Sequence, residues 1–368
     1  MTEYRTTSLA KGLPATVPFV GPEAQERLLE KTFAARIGAN ENVFGPSAKV
    51  TQVIAEMGAQ AWKYGDPEFF ELRHALAEHH GVGSEHIMAG EGIDGLFGYL
   101  VRLFVGPGDK VVTSAGAYPT FNFHVAGYGG ELITVPYRDD HEDTEALIEA
   151  AKLHNPKLVY LANPDNPMGT WWQAEVVEAM VEKMPSESLL VLDEAYGEFA
   201  PEGVMPSIDP FDSRVLRFRT FSKAYGLAGI RVGYAIGEAT LINDFNKIRN
   251  HFGLGCVAQA ACVAALSDTS HLNSVVARVR EARERLYQIA SDNGLEALAS
   301  ATNFVAIDCG RDGDFAKAVL DNLVAQGIFV RMPGVAPLNR CIRVSVGYPE
   351  DLELLATALP KALEAAAR

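Results

Sequence analysis

Short, β-rich apolar runs alternate with helical stretches through the first two thirds of the chain, and this alternation constrains the fold more than any other feature. KVVTSA, ELITVPY, KLVYLANP, SLLVLDEAY, VLRFRTFS and RVGYAIG read as strands. DTEALIEAAKLH and AEVVEAMVEKM, which lie between such runs, carry helical spacing. Strands separated by helices connect by crossovers, which predicts an α/β architecture: a mostly parallel sheet covered by helices on both faces. After about residue 265 the pattern changes. SHLNSVVARVREARERLYQIASDNG predicts a long amphipathic helix, TNFVAID, GIFVRMP and CIRVSVG predict short strands, and a helix closes the chain. The expected organisation is an N-terminal segment over 1–45, a large domain over 46–265 and a smaller α+β domain over 266–368, completed by the N-terminal segment.

The 368 residues, 48% of them hydrophobic, suffice for two cores. A net charge of −15 argues against a nucleic-acid binder, which needs a basic face. It leaves room for small anionic ligands, because a few convergent arginines make a local positive pocket. Cys256, Cys262, Cys309 and Cys341 show no metal-ligand spacing, so no metal site is expected, and their scarcity suits a reducing compartment. The N-terminus lacks an apolar core of signal-peptide length and no apolar run is long enough to span a bilayer, so the expected setting is the cytoplasm.

Ligands of open α/β sheets sit beyond the carboxyl ends of the strands. Three polar clusters fall at such ends. LVYLANPDNPMGT ends a strand near Asn163 and Pro164 and sets Asn166 in a turn; LLVLDEAYGEF ends one at Asp193, with Tyr196 three residues on; LRFRTFSKAYG ends one at Ser222 and Lys223. Taken singly, an asparagine in a turn is a turn former and an aspartate after a strand a helix cap. Three together point to a site. AGEGIDGLFGYLVRLF adds a glycine turn leading into a helix, where backbone N–H groups near Gly92, Ile93 and Asp94 can face an anion.

These segments resemble the fold type I pyridoxal-phosphate aminotransferases, and among them the histidinol-phosphate aminotransferase family. NPDNPMGT is similar to that family's N-P-x-N-P-T-G, DEAYGEF to its D-E-A-Y-x-E-F, GANENVFGPS to its N-E-N-P-x-G-P-S and CIRVSVG to its L-R-[IV]-[ST]-[VI]-G. TFSKAYGLAGIRVGY matches the lysine motif almost word for word, and the matches run in order from about residue 36 to the end.

The resemblance implies a seven-stranded sheet in the large domain, pyridoxal 5'-phosphate as cofactor and a homodimer with shared active sites. Lys223 would hold the cofactor as an imine and then act as the base that moves a proton. Asp193 would hold the pyridine nitrogen's proton, and Asn166 and Tyr196 would bind the phenolic oxygen. Gly92, Ile93, Asp94, Ser222 and Arg231 would cradle the phosphate, with glycines at 226 and 229 curling Arg231 back toward the lysine. Phe121 would stack on the ring, and Tyr64 would reach across the dimer to the neighbour's phosphate. Arg343 and Arg331 would take the substrate's anionic end, with Asn42, Asn303 and Phe19 beside it.

The chain departs from the family pattern at several of these points. Ile93 and Gly95 replace side-chain donors in the phosphate turn, Val43 stands for a proline and Met168 for a threonine. Phe19 stands where the family carries a tyrosine near the substrate phosphate, which favours a more apolar pocket. The implied reaction is amino transfer between glutamate and imidazole-acetol phosphate. The alternatives are the same transfer on aromatic amino acids and a decarboxylation of the threonine-phosphate type. A scaffold that merely kept the fold would have lost the lysine, aspartate and arginine set, and this chain retains it.

Overall fold

The computed structural model describes residues 4–15, 21–207 and 209–368. Among these residues the central sheet has seven strands: β1 (Ile87–Gly90), β2 (Lys110–Ser114), β3 (Glu131–Val135), β4 (Leu158–Ala162), β5 (Leu189–Asp193), β6 (Val215–Thr220) and β7 (Gly233–Ile236). Their spatial order is 1-7-6-5-4-2-3. Strands β2 to β6 pair in parallel, whereas β7 runs antiparallel to both β6 and β1. The link from Thr220 to Gly233 explains that reversal. It holds only a short 3₁₀ turn, Ala228–Ile230, and an antiparallel return needs no crossover helix.

Strands β4 and β5 are buried along their whole length, as expected for a sheet covered on both sides. Their side chains divide by period two. Leu158 and Tyr160 pack with Leu96, Phe97 and Leu100 of helix α1 (Gly92–Phe104) on one face. Val159 and Leu161 pack with Leu147, Ile148 and Ala151 of helix α2 (Thr144–His154) on the other.

The long helix spans Thr269–Asp292, and the strands Phe304–Asp308 and Cys341–Ser345 pair antiparallel. Ala35–Arg36 pairs in parallel with Ile328–Phe329, and Ala35 and Ile37 are buried in one core with Val279, Phe304, Val344 and Leu355. The segment around Ala35 is thus held by residues nearly three hundred positions later in the chain. Among the described residues no helix is long and apolar enough to cross a membrane.

Candidate active site

Strands β4, β5 and β6 are parallel neighbours, so their carboxyl ends lie side by side and the three polar turns converge. They open onto a cavity of about 520 Å³ lined by Asn166, Asp193, Tyr196, Ser222, Lys223 and Arg231. Two further walls come from elsewhere in the chain: Asn40, and the run Arg331–Val335 together with Arg343.

Lys223 donates from Nζ to the Asn40 carbonyl at 3.0 Å and stands 5.5 Å from the centroid of the Tyr196 ring. Burial pushes its pKa down to about 8, and the positive charges of Arg343 and Arg231 add to the shift. The loop that carries it is pinned at Gly226, whose φ is +66°. A Cβ there would lie 2.4 Å from the Gly45 carbonyl carbon. Gly229 takes no left-handed conformation; the bend that returns Arg231 sits on Arg231 itself, at φ +59°. The curl expected of two glycines is therefore shared between Gly226 and the arginine. From this turn Arg231 donates to Ser222 Oγ at 3.3 Å and reaches within 3.9 Å of Asp94.

Asp193 is buried and accepts from the Tyr160 hydroxyl at 2.8 Å and from the Ala195 N–H at 3.0 Å. Burial raises its pKa to about 6, so the carboxylate stands ready to receive a cationic partner from the cavity. Helix α1 starts at the cavity edge with Ile93 and Asp94 in its wall. Gly92 has φ +74°, and a Cβ there would meet Arg231 Nη2 at 2.5 Å, so glycine lets the guanidinium close over the first helical turn. Arg343 donates to Asn166 Oδ1 at 2.6 Å, and its backbone pairs with that of Arg331. Burial pushes the Arg343 pKa down to about 10.

The donor set fits a phosphorylated pyridine aldehyde: an amine with a depressed pKa, a buried carboxylate that makes no ion pair among the described residues, and an anion cradle of helix N-terminus, hydroxyl and guanidinium.

A model of the family described as aminotransferase class I and II matches residues 35–359. The chain belongs to the class I and II aminotransferases. The crystal structure of histidinol-phosphate aminotransferase from Sinorhizobium meliloti in complex with pyridoxal-5'-phosphate is 52% identical to it, with a TM-score of 0.96 over 99% of this chain and 98% of that one. Histidinol-phosphate aminotransferase 2 of Ralstonia nicotianae is 38% identical over 92% of this chain and 91% of its own length. Histidinol-phosphate aminotransferase 1 of Cupriavidus pinatubonensis is 34% identical over 93% and 91%.

Phe121, Asn42 and Asn303 lie elsewhere than the sequence suggested. Phe121 is fully buried, stacked on Tyr160 at 4.8 Å and edge-on to Phe97, so it belongs to the core and not to the cavity wall. Tyr118, three residues earlier, lines the cavity and donates to Asp94 Oδ1 at 3.0 Å. The helix Pro119–Gly127 begins between them, which turns the two rings to different sides; Pro119 at its first position was the signal available in the sequence.

Asn42 and Asn303 do not line the cavity. Asn42 spends its amide on the carbonyls of Lys223 and Ala224, and Asn303 spends its own on those of Asn40 and Glu41. Both fasten the N-terminal segment to its neighbours. Tyr64 is exposed on the surface, in ring contact with Phe252. Met168 is fully buried with Ala306, Leu338 and Cys341. Phe19 lies outside the described residues. Asn40 is the first asparagine of the segment GANENVFGPS, and only the fold brings it to the lysine.

Proposed function

We propose that this aminotransferase uses pyridoxal 5'-phosphate to transfer an amino group between glutamate and imidazole-acetol phosphate, forming histidinol phosphate. The observation that carries the reading is the pairing of Lys223 and Asp193 across one cavity beside a phosphate cradle. The names of the relatives support the substrate class.

When bound, the cofactor supplies a carbonyl that condenses with amines and a protonated ring that withdraws electrons. Lys223 would hold it covalently and would be the group that carries a proton to and from the substrate carbon; burial, which lowers the pKa of the free amine to about 8, favours that basic role. Asp193 would hold the ring nitrogen's proton. Asn166 and Tyr196 would bind the phenolic oxygen, Tyr118 would supply the aromatic wall, and Ser222, Arg231 and the first N–H groups of α1 would hold the phosphate. Arg343 and Arg331 receive the substrate's anionic end, since a guanidinium matches carboxylate and phosphate alike.

The functional unit in this reading is a homodimer. Trp62, Tyr64, Phe70 and Phe252 are 82%, 79%, 58% and 56% exposed, an apolar surface that a second copy would cover. The large and small domains divide near residues 45 and 265, with the site at their seam. Four unpaired cysteines, three of them buried, support a cytoplasmic setting.

The test is a half-reaction screen on the purified protein. It should carry lysine-bound cofactor absorbance that Lys223→Ala abolishes, and histidinol phosphate and glutamate should discharge it where phenylalanine does not. Identical spectra for wild type and variant would sink the cofactor assignment. Discharge by phenylalanine but not by histidinol phosphate would sink the substrate.

A further inference from the structure

Asn40 occupies an unusual position in the site. It lines the cavity, is only 3% exposed and holds a left-handed backbone at φ +56°. Each of its polar groups is engaged. Its carbonyl accepts from Lys223 Nζ at 3.0 Å and from Asn303 Nδ2 at 3.1 Å. Its N–H donates to Ser345 Oγ at 2.9 Å, Ser345 Oγ donates back to Oδ1 at 3.1 Å, and Nδ2 donates to the Tyr196 hydroxyl at 3.0 Å.

Ser345 settles which way the amide faces. Its hydroxyl is buried and already accepts from the Asn40 N–H, so its one proton goes to Oδ1. A reversed amide would leave that proton with no acceptor among the described contacts, a costly arrangement in a buried site. Nδ2 therefore faces Tyr196, and the tyrosine oxygen is an acceptor on that side. The tyrosine's own proton is left for an acceptor other than Asn40, and Tyr196 lines the cavity.

We propose that Asn40, locked by Ser345, is a positioning residue that makes Tyr196 a hydrogen-bond donor toward the cavity and so lowers the pKa of the lysine-bound cofactor. This rests on the cofactor reading above. A donor aimed at the phenolic oxygen stabilises the more negative, deprotonated state, so loss of the donor raises the pKa. The same residue's carbonyl receives the Lys223 amine. Ser345 and Asn303 follow the long helix in sequence, so the set of the C-terminal strands reaches the tyrosine through one side chain.

Asn40→Asp is close in shape and tolerates the left-handed backbone, but it offers Tyr196 an acceptor and draws the tyrosine proton away from the cavity. The readout is the pH midpoint of the absorbance change of lysine-bound cofactor, with no substrate present. Asn40→Asp should raise that midpoint by roughly one pH unit, the scale of one hydrogen bond. Asn40→Gly keeps the backbone conformation without adding charge and should shift it the same way by less, which covers the case in which the aspartate variant fails to fold. In a Tyr196→Phe background neither substitution should move the midpoint further. An equal shift in that background would show a direct charge effect on the lysine and overturn the proposal, as would superimposable titrations of wild type and both variants. Absence of any lysine-bound absorbance in the wild type would instead overturn the underlying cofactor reading.

Discussion

Lys223 is held at a cost to the empty protein. Its pKa falls from the ordinary 10.5 to about 8 on burial, so the native state binds fewer protons than the unfolded chain between those values. Stability linked to this group therefore rises as pH climbs from about 8 to 10.5, and the full burial cost is present below about 8. Denaturant midpoints of cofactor-free wild type and Lys223→Met should converge as pH rises through that window, the variant being the more stable at neutral pH. Parallel midpoints across the window would show that the lysine is not paying this desolvation penalty. Asp193 has the opposite profile in the empty protein: its raised pKa makes the buried carboxylate unfavourable above about 6. Two charged groups whose burial costs stability face one cavity, and binding a group that satisfies both offsets that cost.

At the scale of elements, the helix Pro119–Gly127 decides which aromatic the cavity sees. The motif AYPTFNF offers Tyr118, Phe121 and Phe123, and the family resemblance points to Phe121. The fold buries Phe121 beneath the sheet-facing side of the helix and leaves Tyr118 ahead of the first turn, at the cavity. Phe121→Ala should cost about 3–5 kcal/mol of stability in equilibrium unfolding, as for a large core ring. Tyr118→Ala should leave stability near wild type and weaken cofactor retention on dialysis. The reverse pattern would return the stacking role to Phe121. The asparagines show the same limit: Asn42 and Asn303 sit in motifs that match the family, yet both amides end on backbone carbonyls of the N-terminal segment and the lysine loop. A motif identifies a residue type at a position, and the partner it finds is a long-range fact.

Across the whole molecule, the site is a seam. One wall comes from adjacent strand ends in the central sheet, one from the segment at Ala39 and Asn40, and one from Arg331–Val335 and Arg343. Arg340 ties the same seam at a distance from the chemistry, bridging Asp140 at 2.7 Å and Asp308 at 2.6 Å. The exposed Trp62, Tyr64, Phe70 and Phe252 mark the surface on which the dimer reading rests. Trp62→Glu combined with Phe252→Glu should shift the protein from dimer to monomer in sedimentation velocity and reduce activity together with it. A fully active monomer, or an unchanged dimer, would show that this patch is not the interface.

The local pattern by itself determined the class of this protein: strand and helix periodicities dictate a covered, mostly parallel sheet, and the order Asn166, Asp193, Lys223, Arg231, Arg343 identifies the family and its chemistry. Those features are legible because each depends on neighbours within a few residues. Only the tertiary structure decided that β7 runs backward, that Tyr118 and not Phe121 meets the cavity, and that Asn40 joins Lys223, Tyr196 and Ser345. Those contacts join residues up to 305 positions apart in the chain, and packing selects them where no local spacing encodes them.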